Sequence, residues 1–572
     1  MKLICKLCGT LLTLFIGSVI GNASADPLAI VPPVALTTQP VACTSVEQNF
    51  GPAPDDEARM AYWEGISGQY VSSLLATPQS TLTFTLAVPE DRRIFPNLTG
   101  HSVPYAMIVC YPTSQANTRA DYPVDLEGER RVPHMQRNGD KPLWGDAAQR
   151  YPVLLYSHGL GGSPLSGAYL ETITRFASHG YVVIAPFHGD PRFADVHLDG
   201  LDDMVNLFLR GGFDQLVEMQ AIRPHSLSAA LDMVLAHPDF RDHVDAARIG
   251  GFGTSLGGES MMLLAGAELT VGVIPRLHSR PIHKDPRVIA AVGYVPYFGQ
   301  RLLPAFGDNQ AGAAGVTMPF MAISGTADTT APLGMTEQGV GRMAGSRYVV
   351  AIDGLPHTIR IEDLPDIYTW TLTFLDAHLK GDATARVKLA RMNQVSGGAA
   401  DSLLADYTAP SSAAGAAVEF YNTDLQHYFL TADTAEMAGI AAGSAGAGWR
   451  KTGYTINAGN LSGTPVCRFY GNPALNAAGI RMGPNSHFYT HSNTECEWVK
   501  NDPGWIYEGL AFSAFGAPDG ACPLTQIPVM RAYNNDFAHN NSNHRYTTSR
   551  EMYRSMLAAG WSGEGAVFCV AP

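Results

Sequence analysis

From about position 80 to position 380 the chain alternates between short, almost wholly apolar runs and longer amphipathic stretches. The apolar runs at 152–157, 181–186, 247–252, 288–295, 319–324 and 347–352 are four to eight residues long and rich in Val, Ile and Tyr. That is the signature of strands buried on both faces. Between them, helical periodicity predicts helices near 165–178, 226–237, 257–267 and 365–379. Regular strand–helix alternation implies right-handed crossovers and a largely parallel sheet flanked by helices. Upstream, 80–87 alternates with period two and 105–111 forms another apolar run, so both are predicted as strands. Two segments break the rhythm, 187–224 (with the amphipathic stretch 198–209) and 296–316. Each follows a strand and is expected above the C-terminal edge of the sheet, as a pocket wall, a lid or an excursion without a role. Residues 26 to about 80 are Pro-rich and irregular, and they suggest no function.

The pattern changes near the small-residue segment 408–417, which reads as a linker. Beyond it the chain resembles itself. Phe420-Tyr421-Asn422 with His427-Tyr428-Phe429 recurs as Phe469-Tyr470-Gly471 with His487-Phe488-Tyr489, and again as Ala532-Tyr533-Asn534 with His544-Arg545-Tyr546. Each block runs through a helix-like stretch containing Glu436, Glu495 or Glu551 to evenly spaced Trp449, Trp505 and Trp561. Three such units predict a β-rich, quasi-threefold domain in which neighbours complete one core. No nucleophile–base pair occurs there. Its aromatic residues are either that shared core or stacking platforms for a sugar or a solid polymer. The expected organisation is a signal peptide at 1–25, a catalytic domain at 26–407, a linker at 408–417 and a non-catalytic repeat domain at 418–572.

Composition narrows the class. With 46% hydrophobic and 16% charged residues the chain is globular. Lys2 and Lys6 flank an apolar stretch to Ile20, and Ala23-Ser24-Ala25 fits a cleavage site, so a mature chain from Asp26 is expected, secreted or periplasmic. The stretch is too short for a comfortable membrane span, and no integral span is expected in the mature chain. Cys43, Cys110, Cys467, Cys496, Cys522 and Cys569 then remain. An even number in an oxidising compartment implies disulfides. Cys43–Cys110 is the pair available in the first domain. Three connectivities are open among the other four, of which sequence proximity favours Cys467–Cys496 with Cys522–Cys569. A net charge of −14, more acidic still without the leader, argues against nucleic acid as a partner. No Cys/His spacing suggests a metal, and no cofactor is expected.

The chemistry is concentrated after the apolar runs. Gly253-Thr254-Ser255-Leu256-Gly257 follows one of them and precedes a helix, the context a G-x-S-x-G turn needs. His158-Gly159-Leu160-Gly161-Gly162 follows the run at 152–157 and can offer the Leu160 N–H to an oxyanion, beside that of Leu256. Asp328 follows 319–324 and His357 follows 347–352. A serine hydroxyl needs a base near neutral pKa, and that imidazole needs a carboxylate to fix its tautomer. Ser255, Asp328 and His357 are therefore the candidate nucleophile, acid and base, in the chain order of α/β-hydrolases. The rival bases are His158, His188, His225, His237 and His283; His158 is expected to bond backbone, and His188 to line the pocket. Asp353 is the rival acid.

Tyr111-Pro112-Thr113, Ser157-His158-Gly159-Leu160-Gly161 and Gly253-Thr254-Ser255-Leu256-Gly257-Gly258 resemble the platelet-activating-factor acetylhydrolase/dienelactone-hydrolase-like branch of the α/β-hydrolases, over roughly 80–380. The resemblance implies an α/β-hydrolase fold, Ser255 as nucleophile with Asp328 and His357, and Leu160 and Leu256 as oxyanion donors. Thr254 stands where many relatives carry histidine, and serine at 255 argues against dienelactone hydrolysis itself. The last part of the chain is similar to repeats found behind secreted bacterial hydrolases and adhesins, which carry no known activity. An exported carboxylic-ester hydrolase is the expectation. Small-ester, lipid and polyester substrates, insoluble or cell-bound ones included, are all open. Amidase or peptidase chemistry on the same triad is the alternative, as is an adhesion protein with a vestigial hydrolase.

Overall fold

The computed structural model describes residues 26–51, 55–66, 68–137, 139–194, 212–272, 277–300, 303–409, 415–458 and 463–572. The expected leader and the stretch 198–209 lie outside them. By their contacts the described residues divide into two compact units, one within 32–389 with 393–408, the other within 409–572 with 26–31 and 390–392.

The first unit is built on one sheet of ten strands among the described residues. They are β1 (Val41–Cys43), β2 (Leu82–Ala87), β3 (Ser102–Pro112), β4 (Tyr151–Ser157), β5 (Val182–Pro186), β6 (Val244–Thr254), β7 (Val288–Tyr294), β8 (Phe320–Gly325), β9 (Arg347–Ile352) and β10 (Asp401–Tyr407). Their spatial order is β10-β9-β8-β7-β6-β4-β5-β3-β1, with β2 also paired to β3. The centre, from β5 to β9, is parallel throughout. β1, β2 and β3 on one side and β10 on the other are antiparallel. Every residue of β4, β5 and β8 is buried, which is why these segments read as unbroken apolar runs.

Helices α1 (Tyr169–Ser178), α2 (Gly212–Ala236), α3 (Leu256–Leu264), α4 (Leu333–Arg342) and α5 (Leu364–Leu375) connect the strands. α2 begins well before the expected 226, because Pro224 lies inside the helix and does not start it. α4 and β10 were not expected. α4 carries three glycines, which lower helix propensity, yet it buries Thr336, Gly339 and Val340.

Register places the site. Ser157 is opposite Gly253, Thr254 opposite Tyr294, Tyr294 opposite Ile323, and Gly325 opposite Ile352. The parallel strands therefore end together, and the loops that follow β4, β6, β7, β8 and β9 emerge along one edge. Ligands bind beyond such an edge in open α/β sheets. The segment 296–316, expected as a pocket wall, a lid or an excursion, is mostly packed into the core, with Phe298 and Phe306 fully buried; Tyr297 within it, and Val295 just before it, line the cleft described below.

The second unit contains a three-stranded and a six-stranded antiparallel sheet. Its elements run β11 (Ala417–Asn422), β12 (His427–Thr431), α6 (Thr434–Ala441), β13 (Trp449–Ile456), then β14 (Thr464–Gly471), β15 (His487–Thr490), α7 (Asn493–Lys500), β16 (Trp505–Gly516), then β17 (Ile527–Tyr533), β18 (His544–Thr547), α8 (Arg550–Ala558), β19 (Ser562–Val570). Each short helix is started by a side-chain cap: Asp433 accepts from the Ala435 and Glu436 N–H groups, Ser492 from Glu495 and Ser549 from Met552. Arg468 pairs with Glu436 and lies over Phe429, while Arg531 pairs with Glu495 and lies over Phe488. Arg545 bonds Glu419 through two 2.9 Å contacts.

Among the described residues there are three disulfides, Cys43–Cys110, Cys467–Cys496 and Cys522–Cys569. The first joins β1 to β3 at directly opposed positions. Among the described residues no helix is long and apolar enough to cross a membrane.

Candidate active site

Ser255 occupies the turn between β6 and α3 at φ 54°, ψ −118°, a conformation costly for a residue with a Cβ. The turn is tight enough that a Cβ at Gly253 would strike the Gly257 backbone, and one at Gly257 the Ser157 carbonyl. Backbone bonds hold it. The Ser255 N–H donates to Tyr294 O at 2.9 Å, and the Ser255 carbonyl accepts from Gly258 and Tyr297 at 2.8 and 3.0 Å. α3 starts at the next residue, so its N-terminal dipole faces the serine.

His357 Nε2 is 2.8 Å from Ser255 Oγ, and its Nδ1 is 2.7 Å from Asp328 Oδ2. A carboxylate on Nδ1 makes that nitrogen the donor and leaves Nε2 free to accept from the serine. The Asp328 side chain is fully buried, and its Oδ1 accepts from the Thr330 and Ala331 N–H groups at 2.9 and 2.7 Å. The Tyr294 hydroxyl donates to Thr358 O at 2.7 Å and pins the loop that carries His357. The rival acid faces elsewhere, since Asp353 Oδ1 accepts from the Thr326 hydroxyl at 2.9 Å.

These groups open into a cleft of about 720 Å³ lined by Ser255, His357, Leu160 and Leu256. Ile66, Val295 and Ile359 supply further apolar wall. Its carboxylates are paired, Asp190 with Arg223 at 2.5 Å and Glu64 with Arg130 at 3.7 Å.

The other histidines lie outside this chain of bonds. His158 is fully buried, and its Nδ1 donates to Gly159 O at 2.8 Å. His188 is not among the residues lining the cleft, contrary to the expectation: it is buried, because Ser157 Oγ and Ser226 Oγ hold its ring at 2.8 and 3.3 Å and its N–H donates to His158 Nε2 at 3.1 Å. The His225 and His283 rings lie tilted to each other with centroids 4.2 Å apart, and burial and then His283 push the His225 pKa down to about 3.

Two contributions were not read from the sequence. Residues 64–66, between the helices Asp56–Trp63 and Tyr70–Leu75, form one wall of the cleft. The Tyr70 hydroxyl donates to Gly162 O at 2.9 Å, so the irregular N-terminal stretch braces the Gly-rich loop. The second is the buried pair Asp190–Arg223. A lone arginine in the apolar run of α2, and an aspartate just past β5, were its sequence signals.

Residues 128–196 match a family model described as platelet-activating factor acetylhydrolase, isoform II. The match covers β4, the loop after it that holds Leu160, and the loop after β5 that holds Asp190, and it ends before Ser255. Residues 416–571 match a model described as a domain of unknown function, DUF5648. No curated protein matches the chain. The first match is to a family of α/β-hydrolases, so similarity and fold agree on a hydrolase-like first unit.

Proposed function

We propose that the protein is an exported serine hydrolase of carboxylic esters. The observation that carries this reading is the unbroken line of hydrogen bonds from Ser255 Oγ through His357 to the buried Asp328, at the floor of an apolar-walled cleft. His357 Nε2 takes the Ser255 proton as Oγ adds to the ester carbonyl. The oxyanion is met by the Leu160 and Leu256 N–H groups, and the imidazolium formed is stabilised by Asp328. Collapse breaks the acyl–oxygen bond, and His357 returns the proton to the departing alcohol. Water, activated by the same nitrogen, then releases the acid and regenerates Ser255.

Ile66, Val295 and Ile359 favour an acyl chain or another apolar substituent beside the scissile bond. Three disulfides favour an oxidising compartment and so the cleaved leader. We read the second unit as a quasi-threefold, non-catalytic domain after the 408–417 linker, with Arg468 and Arg531 each pairing with a glutamate on the helix of the repeat before its own. Its role is to hold the enzyme at an insoluble or cell-bound ester. The test is turnover of p-nitrophenyl esters from acetate to palmitate, a triglyceride emulsion and a polyester film. Hydrolysis that vanishes in Ser255→Ala supports the reading, and hydrolysis that survives in that variant overturns it.

A further inference from the structure

The loop that carries Leu160 is held from behind by a buried ion pair that takes no part in the bond-making steps. The side chains of Arg223 and Asp190 are 0% and 3% exposed. Arg223 Nε donates to Asp190 Oδ1 at 2.9 Å and Nη2 to Oδ2 at 2.5 Å. Its other contacts go to the loop, Nη1 to His158 O at 2.7 Å and Nη2 to Gly159 O at 3.1 Å. Asp190 Oδ2 also accepts the Gly161 N–H at 2.9 Å. Burial alone would raise the Asp190 pKa, but the Arg223 charge and hydrogen bonds hold it below the usual carboxylate range. Burial, and then Arg223, push His158 down to about 4. That ring is neutral at neutral pH, with Nδ1 donating to Gly159 O and Nε2 accepting the His188 N–H at 3.1 Å.

These bonds set the direction of two consecutive peptide groups. A trans peptide is planar, and its C=O and N–H point to opposite sides. Arg223 and His158 draw the Gly159 carbonyl inward, so the N–H of the same peptide, that of Leu160, faces the other way. Leu160 lines the cleft with Ser255. The next N–H, that of Gly161, is turned inward and consumed by Asp190. We propose that Arg223 and Asp190 are positioning residues for the oxyanion hole: they select the Leu160 N–H over that of Gly161 and hold it aimed at the developing negative charge. A donor fixed before the reaction needs no reorganisation during it, which is where such groups gain their effect.

This rests on the ester-hydrolase reading, and the experiment separates the two. Removing one member of a buried pair strands a charge and risks the fold. The first variant is therefore Arg223→Lys, which keeps the charge but loses the planar fork; the second is Asp190→Asn. For each, active sites are counted by complete fluorophosphonate labelling, and rates on p-nitrophenyl butyrate are expressed per labelled site. A partly unfolded preparation therefore still reads out. Binding of a trifluoromethyl ketone, which forms a tetrahedral oxyanion on the serine, is measured in parallel. The expected result for Arg223→Lys is a fall in kcat on the order of 10²-fold per site, KM within about threefold, and ketone affinity falling with kcat. Asp190→Asn changes the same quantities in the same direction. If kcat per site and ketone affinity stay within about threefold of wild type in both variants, and total activity merely follows the labelled fraction, the pair is structural and the proposal is overturned. Turnover that persists in a parallel Ser255→Ala sample overturns the ester-hydrolase reading instead.

Discussion

Ser255, Asp328 and His357 lie on three different loops, and only the common ending of their strands brings them within hydrogen-bond reach. Their effects in the proposed reaction are coupled. His357→Ala is expected to cost on the order of 10^4-fold in kcat, nearly as much as Ser255→Ala, because neither residue acts without the other. Asp328→Asn is expected to keep the fold and lose activity on a similar scale, through the wrong imidazole tautomer. Asp353→Asn, whose carboxylate bonds only Thr326 at the surface, is expected to retain near wild-type kcat. Steady-state rates on p-nitrophenyl butyrate check all three, and damage by Asp353→Asn in place of Asp328→Asn reverses the assignment. The proposed triad could be picked out in the sequence because each member lies within five residues of the end of an apolar strand. Arg223 and Asp190 were not, because their partners are backbone atoms far away in sequence, and the burial of a charge leaves no local pattern.

Among the elements, the buried parallel strands were legible as short, largely apolar runs. α4 was hidden by its glycines, and the start of α2 by Pro224, since tertiary burial overrode local propensity at both. The least legible element was the wall at residues 64–66, whose function depends entirely on contact with a distant loop. Gly65 has φ +80°, and a Cβ there would collide with the Gly161 carbonyl. Gly65→Ala is therefore expected to displace the oxyanion loop and lower kcat about tenfold or more with the fold intact; an unchanged kcat would detach this wall from catalysis. α3 also carries Glu259, fully buried and bonded through both oxygens to Gln220. Burial pushes its pKa from 4.5 up to about 8. The folded state thus keeps a proton that the unfolded chain releases. Its contribution to stability is present below about pH 4.5 and lost as pH rises through about 8. Glu259→Gln removes this loss. Its urea midpoint relative to wild type should rise between pH 5 and pH 9, and a difference that stays constant contradicts the sign.

At the scale of the molecule, the proposed catalytic groups all belong to the first unit, and so does β10, the edge strand of its sheet at 401–407. Truncation after Thr408 keeps that edge strand and is expected to leave p-nitrophenyl ester turnover little changed. If the second unit acts as an anchor, the cut lowers activity on a film or emulsion selectively, because tethering raises effective concentration without altering the chemistry. Equal losses on soluble and insoluble esters would mean structural support instead. The disulfides give an independent check on the compartment: protein from the exported fraction should show no free thiol on denaturing alkylation, against six if the cysteines are reduced. The central claim, however, is that Ser255 is a nucleophile activated by His357. The most direct measurement is fluorophosphonate labelling of the full chain, followed by intact mass and peptide mapping, beside Ser255→Ala and His357→Ala. One adduct per chain is expected, on Ser255, absent from the first variant and strongly slowed in the second. An adduct on another residue, or none on folded wild-type protein, would contradict it.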